Sequence, residues 1–100
     1  MADAAIALGS NVGDAAGNLD RAVAAIAASP EIRIDAVSPY YRTAPWGVTD
    51  QDWFVNACIA VDTTLSPRDL LARCLEIETE MGRVRDRRWG PRLIDLDLLY

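Results

Sequence analysis

The order in which strand-like and helix-like patterns alternate is the feature that most constrains the fold of this chain. Apolar runs, period-two alternation and helical spacing follow one another without repeats or low-complexity segments. Strands are predicted at 4–8, 32–41, 54–63 and 93–99, and helices after Asp14 and after Ser66. Each helix follows a strand and must cover an apolar sheet face. The order βαββαβ therefore predicts one α+β domain over residues 1–100, a ferredoxin-like sandwich with both helices on one face of the sheet.

Periodicity also predicts which side chains enter the core. In the third strand, Val55, Ala57, Ile59 and Val61 form one face, and Phe54 and Asn56 lie on the other. In the second helix, the predicted buried stripe is Leu70, Leu71, Cys74, Leu75 and Met81. In the last strand, Ile94, Leu96 and Leu98 share the core face, so Asp95 and Asp97 point together to the open face.

Composition narrows the class of protein. Of the 100 residues, 51% are hydrophobic and 25% charged, as in ordinary globular domains. The net charge of −5 argues against general nucleic-acid binding. No apolar run approaches the roughly 20 residues of a membrane-spanning helix. The Met-Ala-Asp-Ala start lacks a basic leader, and Cys58 and Cys74 are expected to be buried free thiols, so a cytoplasmic protein is expected.

The Asp95-Leu96-Asp97 segment is a candidate metal site. Its two carboxylates lie on one strand face with Cα atoms roughly 6.6 Å apart. Mg²⁺ prefers oxygen ligands and accepts one or two carboxylates together with phosphate oxygens. The alternative is an outer sheet face that is simply solvated.

An arginine-rich segment lies directly before this strand. Half of the ten basic residues fall between positions 83 and 92: Arg83, Arg85, Arg87, Arg88 and Arg92. Guanidinium groups bind phosphate oxygens in bidentate fashion, and Trp89 among them can stack on a flat ring. A solvated surface explains an arginine cluster alone, but arginines next to paired carboxylates favour phosphoryl transfer.

Three further residues complete the predicted site. Phe54 and Asn56 offer a stacking surface and an amide that matches a heterocycle edge; packing beneath the 43–52 loop is the alternative for Phe54. Glu78, predicted on the helix flank shared by Leu71 and Leu75, could orient an arginine or a ligand hydroxyl, and a plain exposed acid is the alternative.

Several other chemistries are excluded by residue type. The chain has no histidine, so it holds neither a histidine-based triad nor a histidine-ligated zinc site. It has no lysine, so it lacks a P-loop.

These residues resemble the 6-hydroxymethyl-7,8-dihydropterin pyrophosphokinase family. The matching blocks are Ala7-Leu-Gly-Ser-Asn11, Tyr41-Arg-Thr-Ala-Pro45, Phe54-x-Asn56, Gly82-Arg-Val-Arg85 and Arg88-Trp-Gly-Pro-Arg92 leading into Asp95-Leu-Asp97. They occur in the family's order over the whole chain. The last block is long and unusual in composition, so chance agreement is improbable.

The resemblance implies a ferredoxin-like enzyme that transfers the β,γ-diphosphate of ATP to the pterin hydroxymethyl group and leaves AMP. It implies two Mg²⁺ ions held by Asp95 and Asp97, with the active site on the sheet face opposite the helices. The implied pterin residues are Thr43, Pro45, Trp46, Phe54, Asn56 and Trp89. The implied nucleotide residues are Glu78, Arg85, Arg88, Trp89 and Arg92. Arg83 and Arg92 are implied to be catalytic together with the two aspartates. The resemblance leaves open whether Arg87 or Arg88 contacts the phosphate.

The resemblance also sets expectations about partners and extent. Small-molecule substrates, no nucleic acid, no membrane and a monomeric state are expected. Family chains continue beyond the last strand, so we expect a core that lacks the family's C-terminal segment. A ferredoxin-like module that binds pterin or an acidic partner through the arginine loop, without transfer, is the alternative.

Overall fold

The computed structural model describes residues 2–44, 53–82 and 93–99. Its elements are β1 (Ala2–Ser10), α1 (Ala15–Ala27), β2 (Ile32–Val37), β3 (Tyr41–Thr43), β4 (Phe54–Thr63), α2 (Pro67–Glu80) and β5 (Asp95–Leu98). Within these residues no helix is long and apolar enough to cross a membrane.

Both helices begin where short polar side chains cap them. The Asp14 carboxylate accepts from the Gly17 backbone N–H at 3.0 Å, and the Ser66 hydroxyl accepts from the Asp69 N–H at 3.1 Å. These bonds satisfy N–H groups that have no partner in the first turn of a helix. Pro67 at the first position of α2 has the backbone φ that a helix start requires.

The strands form one antiparallel sheet with the order β2–β4–β1–β5, and β3 pairs with β4. β4 and β1 are the central pair, with Ile6 opposite Ile59, and β5 lies on the far side of β1. This arrangement confirms the ferredoxin-like α+β prediction.

The core lies between the sheet and the two helices, which pack against each other and against the same sheet face. Its fully buried members include Ile6, Leu19, Ile26, Ile59, Leu70 and Ile94. The face predictions for β4 and β5 are confirmed, since Ala57, Ile59, Val61, Ile94 and Leu96 are buried. The opposite sheet face carries no helix among the described residues.

The predicted strand at 32–41 is two strands. β2 ends at Val37 and β3 begins at Tyr41, and both lie along the same edge of β4. The Ser38 hydroxyl accepts from the Cys58 N–H at 2.9 Å, in the place of a backbone carbonyl. Pro39 follows without an N–H to donate, so regular pairing stops there.

The predicted stripe of α2 is wrong at two positions. Leu71 and Leu75 are 44% and 42% exposed, whereas Ile77 and Glu78 are 4% and 3% exposed. The buried face runs through Leu70, Cys74, Ile77 and Glu78. Two apolar series at helical spacing compete in this segment, and the position of β5 against α2 selects the one that contains Leu70, Cys74 and Ile77.

Candidate active site on the open sheet face

Strands β4 and β5 carry four of the predicted site residues on the sheet face that the helices leave uncovered: Phe54, Asn56, Asp95 and Asp97. Gly9 of β1 lies opposite Asn56 of β4 on one side and opposite Asp95 of β5 on the other. Ala7 lies in the same way between Cys58 and Asp97. Because neighbouring strands are about 4.8 Å apart, Asn56 and Asp95 are separated by about two strand spacings.

Gly9 is buried, and its lack of a side chain lets the Asn56 amide lie close to the β1 backbone. A Cβ atom at this position would lie 3.1 Å from the Asn56 Oδ1 and 3.8 Å from the Phe54 ring. The first of these distances is closer than a side chain normally approaches, so the Asn56 amide occupies the space that a larger residue would take. The Asn56 oxygen and the Phe54 ring therefore both border the backbone of β1.

The Asn56 amide is oriented by the neighbouring strand β3. Its Nδ2 donates to the Thr43 Oγ1 at 2.8 Å, and Thr43 lies opposite Phe54 in the β3–β4 register. Phe54 and Asn56 are half-buried, and Thr43 is exposed. The three predicted pterin residues that the structure describes thus form one contiguous group.

Asp95 and Asp97 project from β5 on the same open face. Asp95 is half-buried and Asp97 is exposed, while Leu96 between them is 2% exposed on the core side. Two adjacent carboxylates with access to solvent are hard oxygen donors of the kind that Mg²⁺ selects. The donor set therefore fits a magnesium ion.

Glu78 lies elsewhere than predicted, on the buried face of α2. It is 3% exposed, and its Oε2 accepts from the Leu96 backbone N–H at 2.7 Å. The exposed-acid alternative is wrong. The side chain reaches β5 from the helix side of the sheet, between the two aspartates along the strand.

Cys74 lies one turn before Glu78 and is 1% exposed. Burial raises the pKa of its thiol from 9.0 to about 11, and the negative charges of Glu78 and Asp97 add to the rise. Cys58, by contrast, is only half-buried, which corrects the prediction of two buried thiols.

This raised pKa predicts a loss of stability at alkaline pH. The unfolded chain releases the Cys74 proton from about pH 9, and the folded chain keeps it until about pH 11. The thiol contribution is therefore fully present below pH 9 and lost between these values, with a slope approaching about 1.4 kcal/mol per pH unit. Urea unfolding of the wild type and of Cys74→Ala at pH 7 to 11 measures it. Identical pH profiles for both proteins would contradict the assignment.

The remaining predicted site residues lie outside the described residues: Pro45, Trp46, Arg83, Arg85, Arg87, Arg88, Trp89 and Arg92. Their roles stay predictions. Gly9, in turn, is absent from the predicted site residues, because the first strand is predicted to end at position 8. β1 continues through Ser10 instead. A glycine inside a strand is itself a signal of close approach by another group.

Together these features define a ferredoxin-like domain that presents an amide and an aromatic ring beside paired carboxylates on its open sheet face. The chain belongs to the 7,8-dihydro-6-hydroxymethylpterin-pyrophosphokinase (HPPK) family, whose model matches residues 5–100.

Curated relatives agree with this membership. The chain is 59% identical over 99 residues to a 2-amino-4-hydroxy-6-hydroxymethyldihydropteridine pyrophosphokinase of Methylorubrum extorquens, covering 99% of this chain and 63% of the relative. A Pseudomonas aeruginosa protein of the same name is 50% identical over 94% of this chain and 58% of its own length. The folate synthesis bifunctional protein of Pisum sativum is 47% identical over 95% of this chain and 18% of its own length. The chain thus spans less than two thirds of these relatives.

Proposed function

We propose that this chain transfers diphosphate from ATP to the hydroxymethyl group of 6-hydroxymethyl-7,8-dihydropterin in folate synthesis, releasing AMP. Family membership and the names of the relatives support the reaction class. The observation that carries the proposal is that Asn56, Gly9 and Asp95 are cross-strand neighbours on β4, β1 and β5. The Asn56 amide and the aspartate pair lie on the two sides of β1, and we assign the first to the heterocycle and the second to the metal.

On one side of Gly9, we assign the pterin to Asn56, Phe54 and Thr43. The Asn56 amide offers both a donor and an acceptor to the ring edge, and its bond to Thr43 fixes which way the amide faces. Phe54 supplies an aromatic surface next to Gly9. Pro45, Trp46 and Trp89 complete the proposed pocket by family resemblance.

On the other side, Asp95 and Asp97 would hold two Mg²⁺ ions. When bound, Mg²⁺ neutralises phosphate charge and aligns the transferred group with its acceptor. The two aspartates would contribute carboxylate oxygens from β5, across β1 from the proposed pterin residues. In the proposed transfer the substrate hydroxyl oxygen bonds to the β-phosphorus, the bond from that phosphorus to the AMP oxygen breaks, and the hydroxyl proton is released to solvent.

The nucleotide is assigned to the remaining predicted residues on the basis of family resemblance. These are Arg85, Arg88, Trp89 and Arg92, with Arg83 and Arg92 as catalytic arginines. Glu78 is left out of this set, because its carboxylate is buried on the helix side of the sheet and accepts from the Leu96 N–H. Guanidinium groups in this number would stabilise the charge on the transferred diphosphate.

Calorimetry and product analysis test the proposal. The chain should bind a non-hydrolysable ATP analogue only with Mg²⁺, bind the pterin, and form AMP from ATP and the pterin. Binding of both ligands without AMP formation would establish the module that binds but does not transfer. Salt-sensitive binding to polyanions without any Mg²⁺ requirement would favour an acidic partner and overturn the proposal.

Substitution of Gly9 tests the assignment of the pterin to the residues around Asn56. In Gly9→Ala the new methyl carbon lies 3.1 Å from the Asn56 Oδ1, so the amide, which is held by Thr43, must move by a few tenths of an ångström. We expect roughly tenfold weaker pterin binding by calorimetry, since overpacking a fitted site costs about 1–3 kcal/mol. Ala60→Val adds methyl groups on the same strand as Asn56, farther along β4, and should leave binding unchanged. Wild-type affinity in Gly9→Ala would contradict the assignment.

A further inference from the structure

Glu78 is an acid in a place where acids are rare. It is 3% exposed and belongs to the buried face of α2. A carboxylate is retained in such a place only when hydrogen bonds compensate for the lost solvation. The Leu96 N–H makes one such bond, and its 2.7 Å length is typical of a charge-assisted bond.

The direction of this bond follows from the pairing of β5 with β1. The Leu99 N–H donates to the Ala5 oxygen at 2.8 Å. In an antiparallel ladder the hydrogen-bonded pairs alternate, so Ala7–Asp97 and Gly9–Asp95 are also hydrogen-bonded pairs. The backbone N–H groups of both aspartates thus point toward β1, and the Leu96 N–H between them points away from it.

The outer side of β5 has no neighbouring strand in the part of the chain that the structure describes. Glu78 provides the acceptor there. The three residues of the candidate metal segment are consequently held from three directions: by β1 through Asp95 and Asp97, by the core through the Leu96 side chain, and by Glu78 through the Leu96 N–H.

We propose that Glu78 is a positioning residue, whose carboxylate fixes the backbone between Asp95 and Asp97 and so holds this pair in the arrangement that binds a divalent cation. The inference rests on the proposed function only in taking the two aspartates as cation ligands. Partners that orient metal ligands commonly change metal affinity by about 10–100-fold when they are removed.

Two substitutions distinguish the effect of the hydrogen-bond acceptor at position 78 from the effect of its negative charge. Glu78→Met keeps the buried volume and removes the carboxylate acceptor. Glu78→Gln removes the charge and keeps an amide oxygen in reach of the Leu96 N–H. Glu76→Ala is the matched control, because it removes an acid from the same helix whose side chain is 63% exposed and paired with Arg73.

The measurements need neither nucleotide nor pterin. Amide hydrogen exchange by NMR reports on the Leu96 N–H, and Ile59 in central β4 reports on the fold as a whole. Titration with Mn²⁺ alone reports on cation binding, through paramagnetic broadening of the Asp95 and Asp97 amide signals.

In Glu78→Met we expect Leu96 to exchange roughly tenfold to hundredfold faster while Ile59 is unchanged. The Mn²⁺ midpoint should rise roughly tenfold or more. Glu78→Gln and Glu76→Ala should stay within about threefold of wild type on both readouts, because each leaves an acceptor for Leu96.

An unchanged Mn²⁺ midpoint in Glu78→Met would overturn the inference, since Glu78 would then only stabilise the fold. A midpoint in Glu78→Gln as high as in Glu78→Met would also overturn it, because charge rather than position would be responsible. Failure of the wild type to form AMP would bear on the transfer reaction alone and leave these outcomes interpretable.

Discussion

Asp97→Ala is expected to abolish AMP formation while leaving the fold intact. Asp97 is exposed on the open sheet face, so its side chain contributes little to the core. Loss of one carboxylate from the proposed metal pair should remove several kcal/mol of transition-state stabilisation, or roughly 10³-fold or more in rate. The rate of AMP release measures the effect, and Mg²⁺-dependent binding of a non-hydrolysable ATP analogue should be lost with it.

Asp35→Ala is the matched control for this experiment. Asp35 is also an exposed aspartate on a strand of the same sheet, but it accepts from the Arg33 Nε at 3.0 Å at the opposite edge. It should retain wild-type analogue binding and AMP release. Near-normal turnover and Mg²⁺ dependence in Asp97→Ala would refute the metal assignment.

Leu70→Ala and Leu71→Ala are expected to differ strongly in stability although they are adjacent and chemically identical. Leu70 is 2% exposed in the core, whereas Leu71 is 44% exposed. Truncating a buried leucine removes apolar contacts and leaves a cavity, which costs about 2–5 kcal/mol. The exposed leucine should change the free energy of unfolding by about 0.5 kcal/mol or less. Urea denaturation of both variants measures the difference.

The comparison decides between two orientations of α2. Equal destabilisation by the two substitutions would contradict the orientation described above and support the stripe that periodicity predicts. A large effect confined to Leu71→Ala would require the helix to be rotated by about one residue, roughly 100°.

The sequence predicted which face of β4 and of β5 carries the candidate site residues, because side-chain alternation is a local signal. Alternation along β4 and β5 assigned Asn56, Phe54, Asp95 and Asp97 to one face, and the structure places the described members there. Gly9 and Glu78 were missed or misplaced for the opposite reason. What matters for each is a neighbour far away in sequence: Asn56 for Gly9 and Leu96 for Glu78.

By itself, the sequence determined the helix starts at Asp14 and Ser66, the faces of β4 and β5, and the order of the elements except for the division of the 32–41 segment into two strands. Capping, periodicity and side-chain alternation each depend on residues a few positions apart. Only the tertiary structure decided which leucines of α2 are buried, and which residues meet across Gly9. Strand register and helix orientation follow from packing between distant segments, and several local patterns are compatible with the same sequence until that packing selects one.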